Sequence, residues 1–251
     1  MGRSMTTLPR VLNYHGSKYS LAPWILRFAP AHECFVDAFG GSGSIFCSKP
    51  PVSFEVYNDA GRDVSTFFRM LRERPAELAQ VLALTPWSRE EFALAWGPSE
   101  DPLERARRFV VRSWQSRGTA PATDGEKGRW KAGWRYQRCD SRGGIFADQW
   151  ARLPAALLEF AQRMLLVQIE SDHAPRVIRR FDSPLTLTVA DPPYLPDVRS
   201  KWASHAYEVE MTVDHHAELA EVMNQTCEAV PPEVSEFDLA GLTPEPSRIV
   251  G

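Results

Sequence analysis

The chain has little sulfur to work with. Its four cysteines, Cys34, Cys47, Cys139 and Cys227, form no C-x-x-C pair. None of the six histidines stands at metal-ligand spacing from them, and the adjacent His215 and His216 point apart on a helix. These absences argue against a structural zinc site or a disulfide framework; the expectation is no bound metal and reduced thiols in a cytoplasmic protein. Long apolar runs are also missing, none approaching the roughly 20 residues that cross a bilayer. Met1 to Arg10 hold no signal-peptide core, so export is not expected. No internal repeat and no P-loop Gly-Lys-Ser/Thr occur. Lysine is scarce: Lys18, Lys49, Lys127, Lys131 and Lys201 stand against 24 arginines.

What is present is ordinary in bulk and uneven in distribution. With 43% hydrophobic and 24% charged residues, 251 residues suit one large or two small soluble domains. The net charge of −3 conceals an asymmetry. Arg105 to Arg142 carries eleven cationic residues against three carboxylates, +8 locally against −11 elsewhere. A basic segment on an acidic body is the footprint of a polyanion partner.

Up to about Arg74, strand and helix signals alternate. Phe35–Phe39 reads as a strand, Gly40-Gly41-Ser42-Gly43 as a turn opening a helix, and Phe54–Tyr57 as a second strand. A helix through Val64, Phe67, Phe68 and Leu71 follows, and this alternation implies a parallel α/β sheet. From Pro75 to about Gln162 the pattern changes to helices and basic loops. Ser88-Arg89-Glu90-Glu91 is a capping box before Phe92 and Trp96. Leu103–Ser116 predicts a helix with Phe109, Val110 and Trp114 on its apolar face. A glycine-rich basic loop comes next, holding Gly118, Gly125, Gly128, Gly133, Gly143 and Gly144. Strands resume at Leu166–Ile169 and at Leu185–Ala190, the latter reading as a buried strand. The sheet is thus interrupted by a helical, basic insertion.

Chemistry concentrates at the ends of these strands. Asp191-Pro192-Pro193-Tyr194 leaves the last strand with an acceptor, two fixed φ angles and an aromatic face. Such a loop can hold an exocyclic amine. Asp191 and the Pro192 carbonyl accept its hydrogens, Pro193 stiffens the loop, and Tyr194 stacks on a planar base. A plain strand exit uses the same turn residues. The glycine turn lies where open α/β sheets bind nucleotides, but Phe46 replaces the third glycine of G-x-G-x-x-G, which disfavours NAD or FAD. Asn58-Asp59 puts a carboxylate where ribose hydroxyls would lie, although a tight turn and a polar strand end account for the same residues. Tyr14 and Lys18 add an aromatic wall and a cation, and Asp172 adds another carboxylate. A surface amine is the other reading of Lys18, and a helix N-cap that of Asp172. Together the set meets the needs of a nucleoside cofactor carrying an amino acid.

In order and spacing, Tyr14-x-x-x-Lys18, Phe35–Ser44, Tyr57-Asn58-Asp59, Asp172 and Asp191–Tyr194 resemble the Dam-type, D12-class DNA adenine-N6 methyltransferases. The likeness covers about residues 10–226. It implies a Rossmann-like methyltransferase sheet formed by 1–74 and 163–227, with a helical target-recognition domain inserted at 75–162. The implied reaction moves a methyl group from S-adenosylmethionine to the N6 amine of a flipped adenine in double-stranded DNA. The implied cofactor set is Tyr14, Lys18, Asp37, Phe39, Gly41, Gly43, Asp59, Asp172 and Asp191. Asp191, Pro192, Pro193 and Tyr194 grip the target amine. Arg112, Arg117, Arg129, Lys131 and Arg135 are the expected DNA contacts, since arginine binds phosphates and reads guanine edges. Trp114 is expected in the core, while Trp130 and Trp134 are open between core and DNA.

Residues 228–251 depart from the family. They form an acidic, proline-containing tail where further strands would continue the sheet. The expectation is a sheet incomplete at its carboxyl-terminal side, with impaired activity or a second polypeptide supplying the rest. A cytosine-N4 methyltransferase and a catalytically inactive DNA-binding relic are the competing readings.

Overall fold

The computed structural model describes residues 7–117, 133–136, 146–195 and 207–227. Its centre is one parallel sheet of β1 (Cys34–Asp37), β2 (Phe54–Asn58), β3 (Gln168–Glu170) and β4 (Thr186–Val189), ordered β3-β2-β1-β4. Val36 faces Val56 on one side and Thr188 on the other. Parallel neighbours require long crossovers, and helices fill them. α1 (Ala22–Ile25) precedes β1, and α2 (Ser44–Ser48) joins β1 to β2. Between β2 and β3 come α3 (Arg62–Glu73), α4 (Pro75–Ala83), α5 (Arg89–Leu94), α6 (Pro102–Gln115) and α7 (Phe146–Met164). α8 (Ala174–Phe181) links β3 to β4, and α9 (Val213–Cys227) follows.

Both sheet faces are covered because the strands alternate side chains with period two. Phe35 and Tyr57 enter one core with Phe67 and Phe68 of α3, Phe109 of α6 and Phe160 of α7. Val36 and Val56 enter the other, against Val177 and Ile178 of α8 and Leu219 and Val222 of α9. Each fully buried large side chain contributes about 1.5–3 kcal/mol, so the two cores hold the sheet rigid beneath its loops. The buried faces of α4, α6 and α7 close the same core as α3, so these helices of segment 75–162 build no separate core.

Several sequence expectations meet the structure here. Ser88 caps α5 by accepting from the Glu90 and Glu91 amides. The Glu91 side chain, however, pairs with Arg107 (2.7 Å). Trp114 packs against the core and donates its indole N–H to the Val11 carbonyl (3.0 Å). β4 was expected to be buried; it is half-buried, with Leu185 exposed, because among the described residues it is an edge strand paired only with β1. α7 was not singled out, although Trp150, Leu153, Leu157, Phe160 and Met164 mark its buried stripe at helical spacing. Arg129, Trp130, Lys131, the loop glycines other than Gly133, and the tail 228–251 lie outside the described residues. No helix among the described residues is long and apolar enough to cross a membrane.

Candidate functional site

The strand order reverses at β1: the chain runs outward from it through β2 to β3, then crosses back to lay β4 along its other side. Open α/β sheets bind ligands in the crevice beyond the carboxyl ends of strands at such a switch point. A cavity of about 380 Å³ opens there, a small-ligand size. Its walls include Tyr14, Lys18, Asp37, Phe39, Gly41, Asp59, Asp172 and Asp191, residues from five separate stretches of sequence.

The glycine turn is shaped by close contact. Gly41 and Gly43 have φ of +49° and +66°, in the left-handed region that favours glycine. A Cβ on Gly40 would lie 2.1 Å from the Tyr57 ring, so the turn rests directly on that aromatic. Tyr57 in turn donates its hydroxyl hydrogen to the Gly41 carbonyl (2.7 Å). Gly43 is not a cavity wall; it packs beneath the turn against Phe68 and Phe160. Asn58 knits the neighbouring strand ends together. Its amide donates to the carbonyls of Ala38 (2.9 Å) and Asp172 (3.1 Å), while its oxygen accepts from the Asp172 N–H (3.0 Å).

The aspartates of the cavity sit in different surroundings. Asp59 accepts from the amides of Gly41 (2.9 Å) and Gly61 (2.7 Å). Burial outweighs those donors and raises its pKa to about 6. Asp37 at the end of β1 is pushed up to about 7, chiefly by burial, then by the nearby charges of Asp191 and Asp59. Asp191 carries its own counter-ion: the Lys18 ammonium pairs with its carboxylate and also donates to the Gly16 carbonyl (2.9 Å). Asp172 lies on the rim, its oxygens held by the His173 amide (2.7 Å) and Arg180 (3.0 Å). Those donors hold its pKa below the usual carboxylate range.

The raised values carry a sign. An aspartate unfolded at about 3.9 and folded at 6 to 7 keeps its proton longer in the folded state. Its contribution is therefore full below about pH 4 and is lost as pH rises through 6 to 7. Urea denaturation of the ligand-free protein should show Asp37→Asn reducing the stability loss between pH 5 and pH 8. An unchanged pH profile would refute the burial of that charge.

The Asp191–Tyr194 motif leaves β4 as expected. Asp191 and Pro193 line the cavity, and Tyr194 is exposed beside it. His216 of α9 approaches the Pro193 carbonyl (3.0 Å), which can only accept, so the imidazole is the donor. Sequence reading missed that contact, and it missed Tyr207–Met211, which form another cavity wall. Nothing in their local pattern points to a site; only the folded chain brings them to it.

The expected DNA contacts divide. Arg112 is corrected: it is 2% exposed and donates to Asp63 (2.6 Å), so it faces the interior. Arg105 joins it on Asp63, while Arg107 and Arg108 pair with Glu104. Four of the eleven cations in Arg105–Arg142 are thus neutralised by carboxylates outside that stretch. Arg117 is exposed, with its guanidinium over Tyr136 (5.4 Å). Tyr136 stacks with Trp134 (6.4 Å between centroids), and Arg89 lies over Trp134 (4.6 Å). Arg135 is half-buried over the Phe146 ring (4.0 Å). Among the described residues no group of three or more His, Cys, Asp or Glu side chains could hold a metal ion.

Comparison with known proteins agrees with this geometry. Residues 14–115 match the model of the D12 class N6 adenine-specific DNA methyltransferase family. The match holds β1, the glycine turn, β2 and Asp59, together with Tyr14 and Lys18. No curated protein matches the chain.

Proposed function

We propose how this chain, a D12-class DNA methyltransferase that methylates the N6 amine of adenine, divides its work between the cavity and the Asp191 loop. S-adenosylmethionine, which the family uses, supplies an electrophilic methyl group when bound. The cavity fits such a donor. The glycine turn lets backbone approach, Tyr14 offers an aromatic wall, and Asp59 keeps lone pairs for ribose hydroxyls beyond its two amide donors. Asp37 and Asp59 can ionise against a cation. Lys18 is placed to reach an anionic group as well as Asp191.

The target amine is conjugated with its ring and weakly nucleophilic, and inside a duplex it is inaccessible. Extruding the base costs a few kcal/mol. Asp191 and the Pro192 carbonyl then accept the amine hydrogens, which returns electron density to nitrogen. The exposed Tyr194 ring stacks on the extruded base. Positioning of this kind supplies most of the rate. The observation that carries this reading is the meeting of Asp191 with the glycine turn, Asp59 and Lys18 around one cavity. Transfer of tritiated methyl from S-adenosylmethionine to mixed-sequence duplex, followed by base analysis, tests it. N6-methyladenine is the expected product; N4-methylcytosine or no transfer would overturn it.

DNA is held by the basic surface of segment 75–162. The layered Arg89, Trp134, Tyr136 and Arg117 side chains present charge and aromatic faces together. Replacing Arg117, Arg129 and Lys131 by glutamine should weaken duplex binding and flatten its salt dependence by roughly 0.9 log unit per lost phosphate contact. An unaltered slope means that these residues face solvent.

A further inference from the structure

We propose that Glu208 and Tyr207 form a latch that retains the nucleoside cofactor, Glu208 clasping the amino end of α3 while Tyr207 closes the cavity over Tyr14. This rests on the reading that the cavity takes S-adenosylmethionine. A helix leaves its first amide hydrogens unpaired. At α3 the N-cap residue is Gly61, which has no side chain to cap them. The acceptor comes instead from 145 residues along the chain: Glu208 Oε2 accepts from the Asp63 amide (3.1 Å). A carboxylate at this end is also favoured by the helix dipole.

That clasp holds a strap, Tyr207–Met211, as one wall of the cavity. Tyr207 sets its ring 6.3 Å from Tyr14 and 5.5 Å from His15, centroid to centroid. Its hydroxyl occupies the space above Gly16, where a Cβ would come within 2.5 Å. Gly16 also has a φ of +74°, so glycine is required there both for backbone and for contact. The strap is tied within itself by the Tyr207 amide donating to Glu210 (3.1 Å). Beyond that turn, Met211 is buried in the core beneath α8 and α9. Glu208 and Met211 therefore pin the strap at two points, with the cavity between. A ligand seated against Tyr14 leaves fastest when Glu208 lets go of α3.

The test measures release of S-adenosylhomocysteine, the demethylated product, by stopped-flow fluorescence on the full chain. Glu208→Ala and Tyr207→Ala should each raise the release rate roughly tenfold, the scale of one charge-assisted contact, with association changed far less. Tyr207→Phe, which keeps the ring, should release at nearly the parent rate. The double alanine variant should release no faster than the faster single one, because both open the same closure. Should Glu208→Ala fail to fold, Glu208→Gln keeps the shape without the charge and is expected to release about threefold faster. Parent-like release in either alanine variant, or fully multiplicative effects in the double, overturns the latch. A parent that binds neither S-adenosylmethionine nor its product overturns the cofactor reading and the latch with it.

Discussion

Replacing Asp191 with alanine is expected to lower methyl transfer to duplex DNA by about a hundred- to a thousandfold, with duplex affinity little changed; loss of one pre-positioned hydrogen-bonding group at a reacting centre has effects of this order. The carboxylate stands at the carboxyl end of β4, on the cavity wall, with Lys18 as its counter-ion. Alanine removes the acceptor for the amine hydrogen and leaves Lys18 without that partner, while the basic surface of segment 75–162 is untouched. Asparagine tests the charge separately: it keeps the shape but turns a donor toward the amine, so it should be nearly as inactive. Single-turnover methylation with saturating DNA, beside a binding titration, measures both quantities. Turnover within tenfold of the parent would sink the assignment of Asp191.

Asp63→Ala is expected to destabilise the protein by about 3–5 kcal/mol, the range found when one partner of a buried ion pair is removed. Asp63 and Arg112 are both buried, and Arg105 shares the same carboxylate (2.7 Å). Without Asp63 the Arg112 guanidinium stays inside, with the Ala95 carbonyl and the Trp96 ring among its remaining neighbours. At roughly 2–4 °C per kcal/mol for a chain of this size, the melting temperature should fall by about 10 °C. Replacing Asp63 and Arg112 together by apolar residues should recover part of that loss. A single variant that melts within a degree or two of the parent would show that the pair adds nothing.

The Asp63 pair also shows where sequence reading ran out. β1 and β4 were legible because their apolar runs stop close to Gly40 and Pro192, where the candidate site residues gather. The Glu104 pairs with Arg107 and Arg108 lie three and four residues apart on one helix, so they too could be read in advance. Arg112 could not be placed that way, because its partner is 49 residues upstream on another helix. Counting charge along the chain therefore overstated the cationic surface. The strap Tyr207–Met211 was missed for the same reason: Tyr-Glu-Val-Glu-Met looks like any short polar link until α3 is beside it. Tyr14, Lys18, Asp59 and Asp191 were identified from type and order, yet their meeting at one cavity needed the fold. The pairing of Lys18 with Asp191 was not anticipated, since the lysine had been expected to serve the cofactor's carboxylate.

The raised pKa values of Asp37 and Asp59 have a thermochemical consequence. Near neutrality the empty cavity holds acids that are only partly ionised, so its own charge is lower than its composition suggests. A cationic guest favours their ionised forms and drives protons out into the surrounding buffer. Calorimetric heats of cofactor binding at pH 6 should then change with the ionisation enthalpy of the buffer, and Asp37→Asn should reduce that dependence. Affinity for the cation should climb as the medium becomes more alkaline and level off once both acids have already lost their protons.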